Sequence, residues 1–75
     1  MNNNVNIILE EMKILPRLQA CKRSIVILAN NAVNLSVEDF DKAAEYIWEN
    51  NIVKILKVEH ERRYIIKLYA DVSEI

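Results

Sequence analysis

The chain has no glycine and only one proline, one cysteine and one histidine among its 75 residues. Without glycine it cannot carry a P-loop, a dinucleotide-binding fingerprint or a nucleophile elbow, because each of these needs glycine at fixed positions. A zinc site needs more cysteine and histidine than the chain supplies. The single cysteine, Cys21, has no partner for an internal disulfide, which is typical of a reducing compartment. We therefore predict no cofactor and no metal.

Catalysis is not expected from the two remaining reactive side chains. His60 lies between Glu59 and Glu61 in a predicted hairpin turn, where a solvated histidine is the commoner case than a general base. Cys21 has no histidine near it in sequence and falls on the apolar side of its segment, so we predict that it packs in the core. The expected protein is non-enzymatic and has no small-molecule substrate.

The composition favours one folded domain over residues 1–75, with 52% hydrophobic residues and a formal net charge of -1. The longest uninterrupted apolar run, Ile25 to Ala29, is far too short to span a membrane, and the first residues lack a basic signal region. We expect a cytoplasmic protein without a membrane partner. The apolar excess favours a homodimer, and the abundance of Ile, Asn and Lys favours a phage, virus or plasmid origin.

Helical spacing predicts a first helix over Val5–Ile14. Pro16 is well placed to begin a second helix, because apolar residues recur at helical intervals between Leu18 and Leu28. Residues 24–28 are also β-branched enough to form a short strand. We favour the helix there and keep the strand as the alternative.

The third predicted helix has the clearest boundaries in the chain. Ser36 is an N-cap with Asp39 three residues later, and Leu35 and Phe40 occupy the positions of a hydrophobic staple. Asn50-Asn51 is expected to end the helix in a Schellman motif. Asparagine tolerates the left-handed conformation, so it replaces glycine in this turn and in the one before the helix, at Asn30, Asn31 and Asn34. The predicted apolar face consists of Val37, Phe40, Ala44, Ile47 and Trp48.

Two β-rich runs, Ile52–Val58 and Arg63–Tyr69, flank a polar turn and predict a hairpin. Pairing Val58 with Arg63 places five apolar side chains on one face: Val53, Ile55, Tyr64, Ile66 and Leu68. A shift of one residue in the loop exchanges the two faces. Which face is buried stays open.

Three helices followed by a hairpin is the order of a winged helix-turn-helix domain. The segment LSVEDFDKAAEYIWENNIV (residues 35–53), followed by YIIKL in the hairpin, resembles the third helix and wing of that superfamily. The resemblance covers residues 35–69. It implies a small α+β, winged-helix-like fold with three helices and a β-hairpin wing. It also implies double-stranded DNA binding in transcription regulation, although some members of the superfamily bind only proteins.

Charge is distributed unevenly along the chain. Residues 36–50 hold five acidic side chains against one lysine, whereas residues 51–69 hold five basic side chains against two acidic ones. Acids on the third helix would repel DNA phosphates, so we expect DNA contacts from the wing and the second helix instead. The candidate DNA-binding residues are Arg17, Gln19, Lys22, Arg23, Lys57, Arg62 and Arg63.

The alternative function is a protein-interaction module without DNA binding. In that hypothesis a small inhibitor or adaptor docks on a host protein through the acidic third helix. The candidate contacts recur at roughly helical spacing: Glu38, Asp41, Glu45, Tyr46 and Glu49. Trp48 is expected in the core rather than in this surface.

Overall fold

The elements follow one another as helix, strand, strand, and this order occurs twice. The structure, a computed structural model, describes residues 3–20 and 22–73. The first unit contains helix α1 (Asn3–Ile14) and strands β1 (Leu18–Ala20) and β2 (Arg23–Ala29). A short 3₁₀ helix, Asn30–Val33, then leads to helix α2 (Val37–Glu49) and strands β3 (Lys54–Glu61) and β4 (Tyr64–Asp71).

The strands form one antiparallel sheet in the order β1-β2-β4-β3. The second strand of each unit is central, and the first strand of each unit lies at an edge. Strand β1 has three residues, and β3 has register shifts between Ile55 and Lys57 and between Glu59 and His60. Short or irregular edge strands are poor templates for pairing with another chain.

The core lies between the sheet and the two helices. Buried side chains from α1, from α2 and from alternate positions of β2 and β4 belong to a single cluster. Its central members are Ile8, Met12, Val26, Leu28, Phe40, Ala44, Ile47, Leu68 and Ala70. Both helices therefore lie on the same side of the sheet, because α2 packs on β4 and α1 packs beside α2 in the same cluster.

Helix α2 begins and ends as its sequence predicts. The Ser36 hydroxyl accepts a hydrogen bond from the Asp39 N–H at 3.1 Å, which satisfies one of the free donors of the first turn. At the other end, Asn51 has a φ of 52°, and the Ile52 N–H donates to the Ile47 carbonyl at 3.2 Å. These are the features of a Schellman motif. The predicted N-cap and C-terminal motif are confirmed.

The left-handed positions show how the chain turns without glycine. Asn34 adopts a φ of 54° after the 3₁₀ helix, as expected for an asparagine there. Two basic residues also adopt positive φ, Lys22 at 66° and Arg62 at 60°. Arg62 begins the two-residue connection of the β3–β4 hairpin, where a primed turn needs this conformation.

The prediction of three helices is wrong. The structure is α+β, but it has two α-helices and a four-stranded antiparallel sheet within the described residues. The segment predicted as the second helix instead forms β1 and β2. Val26 and Leu28 are buried, whereas Ile27 between them is exposed, so the burial follows the period of a strand. The pairing of β2 with β4 stabilises a strand here, although the apolar residues also recur at helical spacing. Cys21 lies outside the described residues.

The predicted hairpin exists, but its register is wrong. Val58 pairs with Leu68 instead of Arg63, and both strands continue to a connection at Arg62-Arg63. The shift beside Glu59 inserts one residue into β4, so Ile65 and Leu68 are both buried although they are three positions apart. A bulge of this kind reverses the alternation of side chains along the strand.

Trp48 was predicted in the core and is 45% exposed. The buried side of α2 consists of Phe40, Ala43, Ala44 and Ile47. Ala43, which the sequence prediction omitted, lies on the opposite flank of this side from Trp48. The buried side of α2 therefore extends toward Ala43, which leaves the indole beyond its other edge.

Candidate functional site

One face of the sheet is not covered by the helices that the structure describes. Side chains alternate along a strand, so residues between the buried ones of β2 and β4 point away from the core. Cross-strand pairing arranges them with their neighbours in three rows: Leu18, Ile25, Asp71 and Lys54; Ile27, Tyr69 and Lys57; Ala29, Lys67 and Glu59. Alternation along β2 adds Arg23. We call this surface the open sheet face.

Three donor groups meet one carboxylate where β3 and β4 adjoin on the open sheet face. The Tyr69 hydroxyl donates a hydrogen bond to Glu59 Oε2 at 2.8 Å. Lys67 Nζ lies 3.6 Å from Glu59 Oε1, and Lys57 Nζ lies 3.9 Å from Glu59 Oε2. Lys57 Nζ is also 5.3 Å from the centroid of the Tyr69 ring, within the range of a cation–π interaction.

These contacts favour the charged form of Glu59. The hydrogen bond from Tyr69, and then the charges of Lys67 and Lys57, lower the pKa of the Glu59 carboxyl. The same hydrogen bond, with the carboxylate charge, raises the pKa of the Tyr69 hydroxyl. At neutral pH the cluster therefore holds one anion, two cations and a neutral phenol.

A second carboxylate lies at the end of the face nearest the β1–β2 connection. Hydrogen bonds from the Ser73 hydroxyl and N–H, with smaller contributions from Lys54 and Arg23, lower the pKa of Asp71. The open sheet face thus carries four cationic side chains, on Arg23, Lys54, Lys57 and Lys67, against two anionic ones, on Glu59 and Asp71. Its net charge is positive although that of the whole chain is -1.

The helical layer has the opposite charge. Glu38, Glu45 and Glu49 are exposed on α2. A hydrogen bond with Glu49, together with the charges of Glu49 and Asp41, raises the pKa of Glu45. Because the helices cover one side of the sheet, the acidic surface of α2 and the positive open sheet face lie on opposite sides of the molecule.

The structure divides the candidate DNA-binding residues between the two ends of the sheet. Arg23 and Lys57 lie on the open sheet face. Lys22 lies in the β1–β2 connection, whereas Arg62 and Arg63 form the β3–β4 connection. Since β2 and β4 are antiparallel, these two connections are at opposite ends of the sheet.

The other two candidates for DNA binding lie near the β1 edge. Arg17 precedes β1 and is exposed. Gln19 is within β1, and its amide donates to the Ser24 hydroxyl at 3.1 Å. The DNA contacts expected from a second helix have no helix to carry them, because this segment forms β1 and β2.

The acidic candidates stay together on α2, with one exception. Tyr46 is 44% exposed and lies one turn before Glu49. Asp41, in contrast, is half-buried and accepts a hydrogen bond from the backbone N–H of Ile65 at 2.8 Å. Its carboxylate stabilises the packing of α2 on β4, so it is not a free docking contact.

Most of the open sheet face could not be identified from the sequence. Tyr69 and Lys67 fall in the predicted hairpin, whose buried face stayed open, and Ile25 and Ile27 fall in the segment that helical spacing favours as a helix. The pattern that identifies them is the period of two in β2, where Val26 and Leu28 are buried. That pattern competes with helical spacing over the same residues, and only the pairing with β4 decides between them.

Comparison with family models, curated proteins and solved structures finds no match to this chain. No comparison bears on the winged-helix resemblance of residues 35–69. Within residues 3–20 and 22–73, three or more potential metal ligands do not come together anywhere. Neither helix of that part of the chain has the length and apolar character needed to cross a membrane.

Proposed function

We propose that the protein is a non-enzymatic, cytoplasmic nucleic-acid-binding protein that holds single strands on its open sheet face. The observation that supports this most is the position of Tyr69. Its ring lies on a central strand, on the face of the sheet that the helices leave open, with Lys57 and Lys67 beside it. Proteins that bind single strands combine a positive surface for the phosphates with aromatic rings on which bases stack.

The shape of the surface favours a single strand over a duplex. A duplex presents phosphates outward and hides the faces of its bases, so recognition of its sequence needs an element that enters a groove. The open sheet face has no such element, and the exposed surface of α2 is acidic. A single strand instead offers the apolar faces of its bases to Tyr69, Ile25 and Ile27. The duplex contacts first expected for Arg62 and Arg63 are thus replaced by single-strand contacts at the sheet.

Charge also distinguishes a nucleic acid from a second copy of this chain. A two-fold dimer through the open sheet face would bring together two surfaces of the same net positive charge, which is unfavourable. A homodimer stays a prediction, and we expect it to use another surface. Phosphates are complementary to the net positive charge of this face.

The proposal is tested by the binding of a fluorescently labelled oligothymidylate, followed by anisotropy at low salt. One variant combines Lys54→Gln with Lys57→Gln on the open sheet face. The matched control combines Lys13→Gln with Lys42→Gln, which removes the same charge from the exposed surfaces of α1 and α2. We expect the first variant to bind several-fold more weakly, with a salt slope smaller by roughly 0.7 for each lost phosphate contact.

The control variant should bind almost as well as the unmodified protein. Equal weakening in both variants would show that only total charge matters, and absence of binding by the unmodified protein at low salt would refute the proposal. In that case the second candidate remains, a protein-docking surface on α2. The exposure of Tyr46 beside Glu49 favours that candidate, and Glu45→Lys with Glu49→Lys should then abolish capture of a basic partner.

A further inference from the structure

Glu59 lies where the donor groups of the open sheet face converge. Both of its carboxylate oxygens are used: Oε1 lies 3.6 Å from Lys67 Nζ, and Oε2 accepts the 2.8 Å hydrogen bond from Tyr69. We propose that Lys57, Lys67 and Tyr69 form a phosphate subsite for the single strand, and that Glu59 occupies this subsite in the free protein. This inference rests on the proposed function.

A carboxylate can take the place of a phosphate here because both groups present two anionic oxygens on one central atom. The three donors are held by the strands themselves, since Lys67 pairs directly with Glu59, and Tyr69 pairs directly with Lys57. In the absence of any anion the two ammonium groups would repel each other. Glu59 removes this repulsion and keeps the subsite assembled before the strand binds.

Exchange of the two anions requires only a side-chain rotation. The Glu59 side chain is 38% exposed, so it can turn into solvent when a phosphate takes its contacts. The Lys57 ammonium then leaves the Tyr69 ring for the phosphate, and the ring becomes available to the adjacent base.

This exchange makes binding selective. A phosphate ion alone gains little binding free energy, because it replaces a carboxylate that already contacts the two lysines and accepts the hydrogen bond from the phenol. A single strand gains more binding free energy, because its phosphate binds in the subsite while its base stacks on the Tyr69 ring. Glu59 thus weakens purely electrostatic binding and favours ligands that also stack on Tyr69.

The test compares Glu59→Gln with Glu61→Gln, using the labelled oligothymidylate. Glutamine at position 59 can still accept the hydrogen bond from Tyr69, so this variant removes only the charge. Glu61 lies on the same strand, is exposed and is next to the hairpin connection, which makes its variant the control for a general change in net charge. We expect Glu59→Gln to tighten binding several-fold more than Glu61→Gln. Its salt slope should stay close to that of the unmodified protein, because the same lysines contact the phosphate in both complexes once Glu59 has turned into solvent.

A third variant assigns the gain to the subsite. In a Lys67→Gln background, Glu59→Gln should tighten binding much less, because one of the freed lysines is gone. If the unmodified protein binds but Glu59→Gln tightens binding no more than Glu61→Gln, the subsite is refuted and the proposed function stands. Weaker binding by Glu59→Gln would also refute it. If neither the unmodified protein nor Glu59→Gln binds, the proposed function itself fails.

Discussion

The carboxylate of Asp41 in α2 accepts a hydrogen bond from the backbone N–H of Ile65 in β4 at 2.8 Å. The bond links residues that are 24 positions apart in sequence, and it lies next to the register shift between β3 and β4. Hydrogen bonds to a charged acceptor are stronger than those between neutral groups. This contact thus helps to set the position of α2 on the sheet, and with it the burial of one sheet face and the exposure of the other.

Removal of this acceptor should destabilise the fold. We expect Asp41→Ala to lower the free energy of unfolding by about 1–3 kcal/mol, because a partly buried N–H loses its partner. Glu38→Ala, at an exposed position of the same helix, is the control and should change stability much less. Urea denaturation of both variants measures the difference. Equal effects would mean that the Asp41–Ile65 bond contributes nothing.

Two of the three aromatic side chains of α2, Phe40 and Trp48, should differ in their effect on stability. Phe40 is fully buried, whereas Trp48 is 45% exposed. We expect Phe40→Ala to cost about 3–5 kcal/mol in the free energy of unfolding. Trp48→Ala should cost much less, since much of the indole already contacts water. A decrease in the free energy of unfolding that is as large for Trp48→Ala as for Phe40→Ala would place the indole in the core.

The hairpin connection between β3 and β4 contains a strained residue. Arg62 has a φ of 60°, a conformation that costs most residues with a side chain roughly 1–2 kcal/mol. Arg62→Gly should therefore raise the melting temperature. Arg63→Gly is the control: its φ is not positive, so glycine should lower the melting temperature by making the unfolded chain more flexible. The same response from both variants would contradict the assigned turn.

The acidic surface of α2 should make stability depend on pH. The pKa of Glu45 is raised in the folded protein, chiefly by its contact with Glu49. A carboxyl whose folded pKa is above its unfolded pKa supports the fold below the unfolded value, and this contribution disappears as pH rises through the folded value. We expect Glu45→Gln to raise the melting temperature at pH 7 and to make no difference once the pH is well below the pKa of Glu45. A constant difference between pH 7 and pH 3 would contradict this.

The boundaries of α2 could be predicted because short-range chemistry determines them. The Ser36 hydroxyl reaches a donor three residues away, and Asn51 provides the left-handed residue that ends the helix. Both devices act within one helical turn, so the sequence alone contains all the participants. The presence of a hairpin after this helix was also predictable from local pattern, whereas its register was not.

The segment from Leu18 to Leu28 could not be predicted in this way. Its apolar residues satisfy the helical period and the strand period together, so local pattern leaves two solutions. The deciding interaction is the pairing of Val26 with Ala70 and of Leu28 with Leu68, which joins residues about forty positions apart. Because a helix was predicted here, the predicted fold had three helices, and Arg23 was expected to contact DNA from the second of them.

The central cluster of the open sheet face depended on a register that local pattern could not supply. The bulge at Ile66 brings Lys67 opposite Glu59 and Tyr69 opposite Lys57. The predicted register, without a bulge, left these four side chains unrelated. Lys57 was nevertheless proposed as a phosphate contact from its charge alone, and it lies on the face that we now propose.

The most direct measurement is a titration of the ¹⁵N-labelled protein with an unlabelled oligothymidylate, followed by two-dimensional ¹H–¹⁵N NMR. It reports for each backbone amide whether the oligonucleotide is near. We expect the largest shift changes at open-face residues, namely Ile25, Ile27, Lys57, Lys67 and Tyr69, with little change along Val37–Glu49. Changes concentrated on α2, or no changes at low salt, would contradict the assignment of nucleic-acid binding to the open sheet face.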